Sequence, residues 1–186
     1  MSEKPLLGNP AVVGLTGFGG TTLLLQFHNL GLCGAGPVFW CAMFFGGLMQ
    51  FIAGFQEFKT GNNFGYVAFC TYGAFWMALG GILLGTSNGM FDISTTDIGW
   101  FLVIFTIVTG ILFIGAMKQN GVLAFIFLTL FIGFVLLDVS HLGGSSVFTT
   151  IAAIDLIICA ASAWYLMAHA VLAKLGLELP VGKPWI

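Results

Sequence analysis

Arginine is absent from this chain of 186 residues, and only 6% of its residues carry a charged side chain. A water-soluble domain has about a quarter of its residues charged. A fold so poor in charge has nothing with which to cover a surface in water, so a soluble globular protein is excluded. The net charge of −2 and the lack of any basic patch argue against a nucleic-acid partner. The four cysteines, Cys33, Cys41, Cys70 and Cys159, form no C-x-x-C pair and are read as structural thiols packed among helices. No H-E-x-x-H, no G-x-S-x-G and no clustered polar triad occurs. The chain is therefore expected not to be an enzyme, and neither a cofactor nor a metal site is anticipated. A cleavable signal is not evident either, because the first apolar stretch is a full span long with only Lys4 before it.

Long apolar runs fill the space these absences leave. Hydrophobic residues make up 59% of the chain. A membrane-spanning helix needs about 20 mostly apolar residues. Six segments qualify: 10–30, 37–56, 64–84, 97–117, 121–139 and 147–173. Runs such as Trp100-Phe101-Leu102-Val103-Ile104-Phe105 do not alternate polar with apolar, which favours helices over barrel strands. The expected architecture is an all-α polytopic membrane protein, one domain of six transmembrane helices in three like-oriented hairpins. Residues 174–186 form an irregular tail.

The five lysines, Lys4, Lys59, Lys118, Lys174 and Lys183, fall in the N-terminal tail, in alternate loops and in the C-terminal tail. Basic loops stay in the cytoplasm. This orients both termini inward in the plasma or inner membrane. Loops 57–63 and 118–120 then face inward, and loops 31–36, 85–96 and 140–146 outward. Glycines recur seven apart at Gly47 and Gly54, and again at Gly73 and Gly80. Small residues let helices approach closely in lipid, either within one bundle or between subunits.

The first, third and fifth spans echo one another. Asn9-Pro10 opens the first, Gly61-Asn62-Asn63 the third and Gln119-Asn120-Gly121 the fifth. Asparagine is a good helix N-cap and proline suits the first helical position. Nine or ten residues on from each asparagine stands a bulky side chain that closely follows a threonine: Phe18 after Thr16, Tyr72 after Thr71 and Leu130 after Thr129. At about 1.5 Å per residue these three lie about 14 Å from the helix starts, near the middle of a hydrocarbon layer about 30 Å thick. The reading is a pore closed at mid-membrane by three large side chains, a constriction that gates by dewetting. The helix N-termini would face the cytoplasm, where their free N–H groups and partial positive charge can hold an anion.

The segment Asn9-Pro10-Ala11-Val12-Val13-Gly14-Leu15, followed by Gly17-Phe18-Gly19, resembles the signature of the acetate uptake transporter family. So does the longer block Gly47-x-x-Gln50-x-x-Ala53-Gly54-x-x-Glu57-Phe58-x-x-Gly61-Asn62-x-Phe64-Gly65, which continues into Thr71-Tyr72-Gly73-Ala74-Phe75-Trp76. Ala161-x-Ala163-Trp164-Tyr165 is a third match, and the resemblance covers nearly the whole chain. It implies transport of acetate, and of larger carboxylates such as succinate, by a homohexamer with a separate path in each subunit. It also implies a constriction of Phe18, Tyr72 and Leu130. Two departures stand out: Val12 replaces the usual second proline, and Asp155 belongs to no family motif.

The candidate contacts for the carboxylate are Asn9, Thr16, Thr71, Asn62 and Gln50, with the Tyr72 hydroxyl as a further donor. Gln50 is read either as an interhelical hydrogen-bonding residue or as lining the path. Asp155, inside the last span, and Glu57, at a helix end beside Lys59, are candidate proton relays. Each has a structural alternative, as a helix-to-helix bond and a loop anchor respectively. The histidines His28, His141 and His169 do not read as haem ligands, because His28 could pair only with His141, and Ser140–His141 reads as a loop start. The expected function is channel-like passage of acetate across the cell membrane. A proton-coupled monocarboxylate symporter is the alternative of the same class, and a pore for a small neutral or cationic solute such as ammonium is that of another.

Overall fold

The structure, a computed structural model, describes residues 8–186, so Lys4 lies outside the described residues. Six helices occur among the described residues: α1 Ala11–Asn29, α2 Ala35–Thr60, α3 Asn63–Ser87, α4 Thr95–Met117, α5 Gly121–His141 and α6 Val147–Ala173. All but α1 are long and apolar enough to cross a membrane. In α1 the glycines Gly14, Gly17, Gly19 and Gly20 and the threonines Thr16, Thr21 and Thr22 lower the hydropathy. Such small side chains suit a helix enclosed by others.

Helices consecutive in the chain pack side by side except α3 and α4, and α6 returns to close on α1. The backbones of α3 and α4 approach at few points, and side chains bridge them, Phe75 packing against Phe101 and Phe105. One face of α4, carrying Trp100, Ile104, Ile107, Ile111 and Ile114, is left largely exposed. These residues recur every three or four positions, so they form one stripe on the helix. In lipid such a stripe needs no protein cover.

The helix ends follow local chemistry. Gly61 adopts the left-handed conformation with φ 79° and stops α2. Asn62 then starts α3, its Oδ1 accepting from the Gly65 amide at 3.1 Å. Ser94 and Asp97 form a reciprocal capping box at the start of α4. Because α2 persists to Thr60, Glu57 and Lys59 sit in its last turn and not in a loop. Likewise α5 runs on to His141. Residues Cys41–Met49 of α2 are π-helical, a local widening often found near functional sites.

The seven-apart glycines lie within one bundle. A β-carbon on Gly73 would stand 2.7 Å from the Phe51 backbone nitrogen, and one on Gly54 2.7 Å from that of Cys70. Those on Gly47 and Gly80 would meet the side chains of Met77 and Met43. All four therefore serve the α2–α3 contact of a single chain. The tail is irregular but pinned. Trp185 donates its backbone N–H to Met117 O at 2.8 Å, and Val181 O accepts from Val122 N at 2.9 Å.

Candidate functional site

A cavity of about 350 Å³ opens at the end of the bundle where α1, α3 and α5 begin. Each of these helices puts a stripe of side chains into it. From α1 come Ala11, Leu15 and Phe18; from α3, Gly65, Ala68, Phe69 and Tyr72; from α5, Leu123, Ile126, Phe127 and Leu130. The spacings of three and four are those of a single helix face. A second, smaller cavity of about 30 Å³ lies further along the bundle. The same stripes continue there through Thr22, Leu25 and Gln26 on α1, Phe75 and Trp76 on α3, and Phe134 and Leu137 on α5. Phe18, Tyr72 and Leu130 line both cavities. They stand where the two spaces meet. All three are buried, and the Phe18 and Tyr72 rings lie 6.0 Å apart.

Three asparagines stand at the open end of the larger cavity. Asn9 Oδ1 accepts from the Ala11 amide at 3.0 Å, and Asn120 Oδ1 accepts from the Leu123 amide at 2.9 Å. With Asn62, three asparagines thus cap three helices around one space. Each cap spends the side-chain oxygen and leaves the NH₂ group. That of Asn62 donates to Glu57 Oε2 at 2.8 Å. Those of Asn9 and Asn120 have no partner among the described residues. Gln50 reaches the cavity from α2; it is 1% exposed, and neither end of its amide has a hydrogen-bond partner. A buried polar group in that state costs about 1–3 kcal/mol.

Other candidates sit elsewhere. Thr16 and Thr71 line neither cavity. The Thr16 hydroxyl bonds back to Val12 O at 2.7 Å, and Trp164 Nε1 donates to Thr16 O at 3.2 Å. Asp155 lies against Gly133 between α5 and α6, away from both cavities, and its Oδ2 is buried without a partner. Glu57 is 2% exposed and touches Asn62 and Thr60. Asp138 Oδ2 lies 2.6 Å from Thr106 Oγ1 and ties α5 to α4. No cluster of three or more metal-ligating side chains occurs among the described residues.

Thr109 on α4 carried no signal in the sequence, yet it fixes the Tyr72 hydroxyl at 2.8 Å. Thr109 is fully buried, and its Oγ1 lies 2.6 Å from Phe105 O. A carbonyl only accepts, so the single threonine proton goes to Phe105. Tyr72 must then donate to Thr109. This corrects the expectation that the Tyr72 hydroxyl is a free donor toward the path: it offers lone pairs there and no proton. Asn120 and His169 also line the cavity, and sequence reasoning gave neither a binding role. The echo that opens the fifth span with Asn120 was the signal for the first.

An all-helical membrane protein with an axial cavity narrowed by three large side chains is a transport protein in form. Residues 2–177 match the GPR1/FUN34/yaaH family, and the chain belongs to that family. It is 39% identical over 181 residues to the succinate-acetate/proton symporter SatP of Escherichia coli K12, covering 95% of this chain and 96% of that one. A solved structure of the bacterial acetate channel SatP superposes with a TM-score of 0.91 at 38% identity, covering 95% of this chain and all of the other. The ammonia transport outward protein 2 of Saccharomyces cerevisiae is 34% identical over 167 residues, covering 84% of this chain and 59% of the yeast protein.

Proposed function

We propose that this protein carries acetate, and small dicarboxylates such as succinate, across the cell membrane along the axis of each subunit. The observation that carries the reading is that Phe18, Tyr72 and Leu130 line both cavities. A solute moving from one to the other must pass them. The methyl group of acetate suits that apolar waist. Its carboxylate suits the wider space, where Asn9, Asn120 and Gln50 present amides and three helix N-termini add partial positive charge. The names borne by the bacterial relatives support the same substrate class.

The wider cavity faces the cytoplasm in this reading, with both termini inside and the helices paired as three like-oriented hairpins. Support comes from Lys59 in the last turn of α2, Lys118 at the end of α4 and Lys174 at the end of α6. The protein works as a homohexamer, and exposed apolar side chains such as Trp40, Phe44 and Phe55 on α2 are available to neighbours or lipid. Among transport modes the channel is favoured, because no span is broken at mid-membrane by proline. Proton coupling is the second mode, in line with the name of the Escherichia coli relative.

The test is flux of labelled acetate and succinate through purified protein in liposomes, with Leu130→Ala beside wild type. Removing the leucine widens the waist by room for roughly one or two waters at about 30 Å³ each. A hydrogen bond to a charged group is worth about 1.5–3 kcal/mol, so a dicarboxylate that keeps one more water gains at least about tenfold in flux relative to acetate. An unchanged flux ratio would remove Leu130 from the waist. Ammonium is the competing solute, given the name of the yeast relative. Competition of labelled acetate by unlabelled ammonium chloride and sodium succinate separates the two.

A further inference from the structure

One group in the larger cavity differs from the amides and helix ends around it. His169, near the end of α6, lines the cavity next to Leu166 and Ala170. Its Nδ1 lies 2.6 Å from Leu179 O. A carbonyl accepts and cannot donate, so Nδ1 carries a hydrogen in both charge states of the ring. Nε2 makes no hydrogen bond to the described residues and is the ring atom left for a ligand. In the neutral ring it is a bare acceptor, which repels a carboxylate. In the protonated ring it is a charged N–H donor, which attracts one.

The carbonyl that fixes this tautomer belongs to the C-terminal segment. That segment is held independently at three places: Tyr165 Oη donates to Pro180 O at 2.8 Å, Val122 N to Val181 O at 2.9 Å, and Trp185 N to Met117 O at 2.8 Å. The imidazole is therefore set by a strap anchored on α4, α5 and α6. Tyr72 is the other titratable side chain lining the cavity, at its far end and with its proton on Thr109. Of the elements packed on α6, α1 carries His28 and α5 carries Asp138 and His141, all at the opposite end of the bundle. Nearer to hand are Lys118 after α4, Lys174 on α6, and Glu178 and Lys183 in the strap. On α6 itself, Asp155 and Cys159 lie more than two turns before His169.

We propose that His169 is a carboxylate-binding residue of the larger cavity, active as imidazolium, and that the C-terminal strap sets it in place by holding Nδ1–H. This rests on the carboxylate transport reading and adds to it a pH dependence built into the binding step. A ligand that prefers the protonated ring binds tightly at acidic pH and loosens as the pH rises.

Methanesulfonate is the probe of choice, because it matches acetate in size and stays ionised throughout. Its competition with labelled acetate in liposomes is measured at pH 5.5 and pH 7.5, for wild type and His169→Gln. An opposite charge in contact commonly shifts a titration by about one unit, which is tenfold in affinity. Wild type should bind methanesulfonate about tenfold tighter at pH 5.5, and His169→Gln should vary by less than about twofold. A second arm uses the unaltered chain labelled with ¹⁵N-histidine, with the His169→Gln spectrum assigning the signal. Methanesulfonate added at pH 7 should move the His169 ring signals toward the imidazolium form. The proposal is overturned if the variant keeps the wild-type pH dependence, or if the ring signals do not respond. A wild type that binds methanesulfonate but passes no acetate would overturn the transport reading and leave His169 as a binding site.

Discussion

The bond between Tyr72 and Thr109 yields the sharpest test of how the waist works. Both groups are buried, and the 2.8 Å contact joins α3 to α4, which also meet through Phe75 against Phe101 and Phe105. In Tyr72→Phe, Thr109 keeps its own proton on Phe105 O and loses only a donor to its lone pair, a cost of about 0.5–1.5 kcal/mol. In Thr109→Val, the Tyr72 hydroxyl stays buried with its proton unplaced, and the cost rises to about 1–3 kcal/mol. In the double variant both polar groups are gone and the shapes are nearly kept. Its cost should therefore fall short of the sum by about 1 kcal/mol or more. Thermal unfolding of the purified protein in one detergent reads these differences. Acetate flux in liposomes reads the rest. Because the tyrosine proton is already spent inside the protein, Tyr72→Phe should keep flux within about threefold of wild type. A tenfold or greater loss in that variant, without matching loss of stability, would mean that the hydroxyl donates to the solute and that the proton assignment is wrong.

Four further outcomes follow from the geometry. Gly73→Ala puts a methyl 2.7 Å from a backbone nitrogen of α2, where no side chain can give way, and should cost about 1–3 kcal/mol in thermal unfolding. Gly81→Ala has nothing within 4 Å to meet and should be neutral or stabilising by up to about 1 kcal/mol in the same assay. Asp155→Asn should leave acetate uptake and its response to pH unchanged in liposomes, since Asp155 lines neither cavity; a flattened pH response would restore it as a relay. Glu57→Gln keeps an oxygen for the Asn62 amide and should hold the acetate KM within about twofold, whereas a large fall in KM would show the carboxylate acting on the anion directly.

Much of this architecture can be read along the chain because one side chain does one job at each point. Asparagine is a good helix N-cap, so Asn9, Asn62 and Asn120 announced three helix starts, and the fold brings all three to one space. Gly61 stopped α2 for the same kind of local reason. Thr16 and Thr71 were harder. They are neighbours of Phe18 and Tyr72 in sequence, but a helix turns about 100° per residue, so one or two steps carry a side chain off the face. The residues that do share the face are three or four away, such as Leu15, Thr22, Phe69 and Trp76. Thr109 was illegible because its role comes from another helix. The same holds for the strap: Pro180 and Pro184 read as an irregular end, and nothing local says that residues 179–185 return to hold His169, α4 and α5.

The threefold echo is also broken in a way that bears on how an anion is handled. Glu57 ties up the free amide of Asn62, while those of Asn9 and Asn120 have no such partner. The ring at the mouth therefore offers two neutral donors on one side and an occupied one on the other. Passage requires that a site bind well enough to admit the solute and weakly enough to release it. A lysine or arginine placed there would hold a carboxylate at every pH. On the proposed reading, neutral amides, helix ends and one imidazole attract the anion in place of a permanent charge. On this view the lack of arginine and the confinement of Lys59, Lys118 and Lys174 to the helix ends are parts of one arrangement, in which the path keeps permanent positive charge out of its own lining.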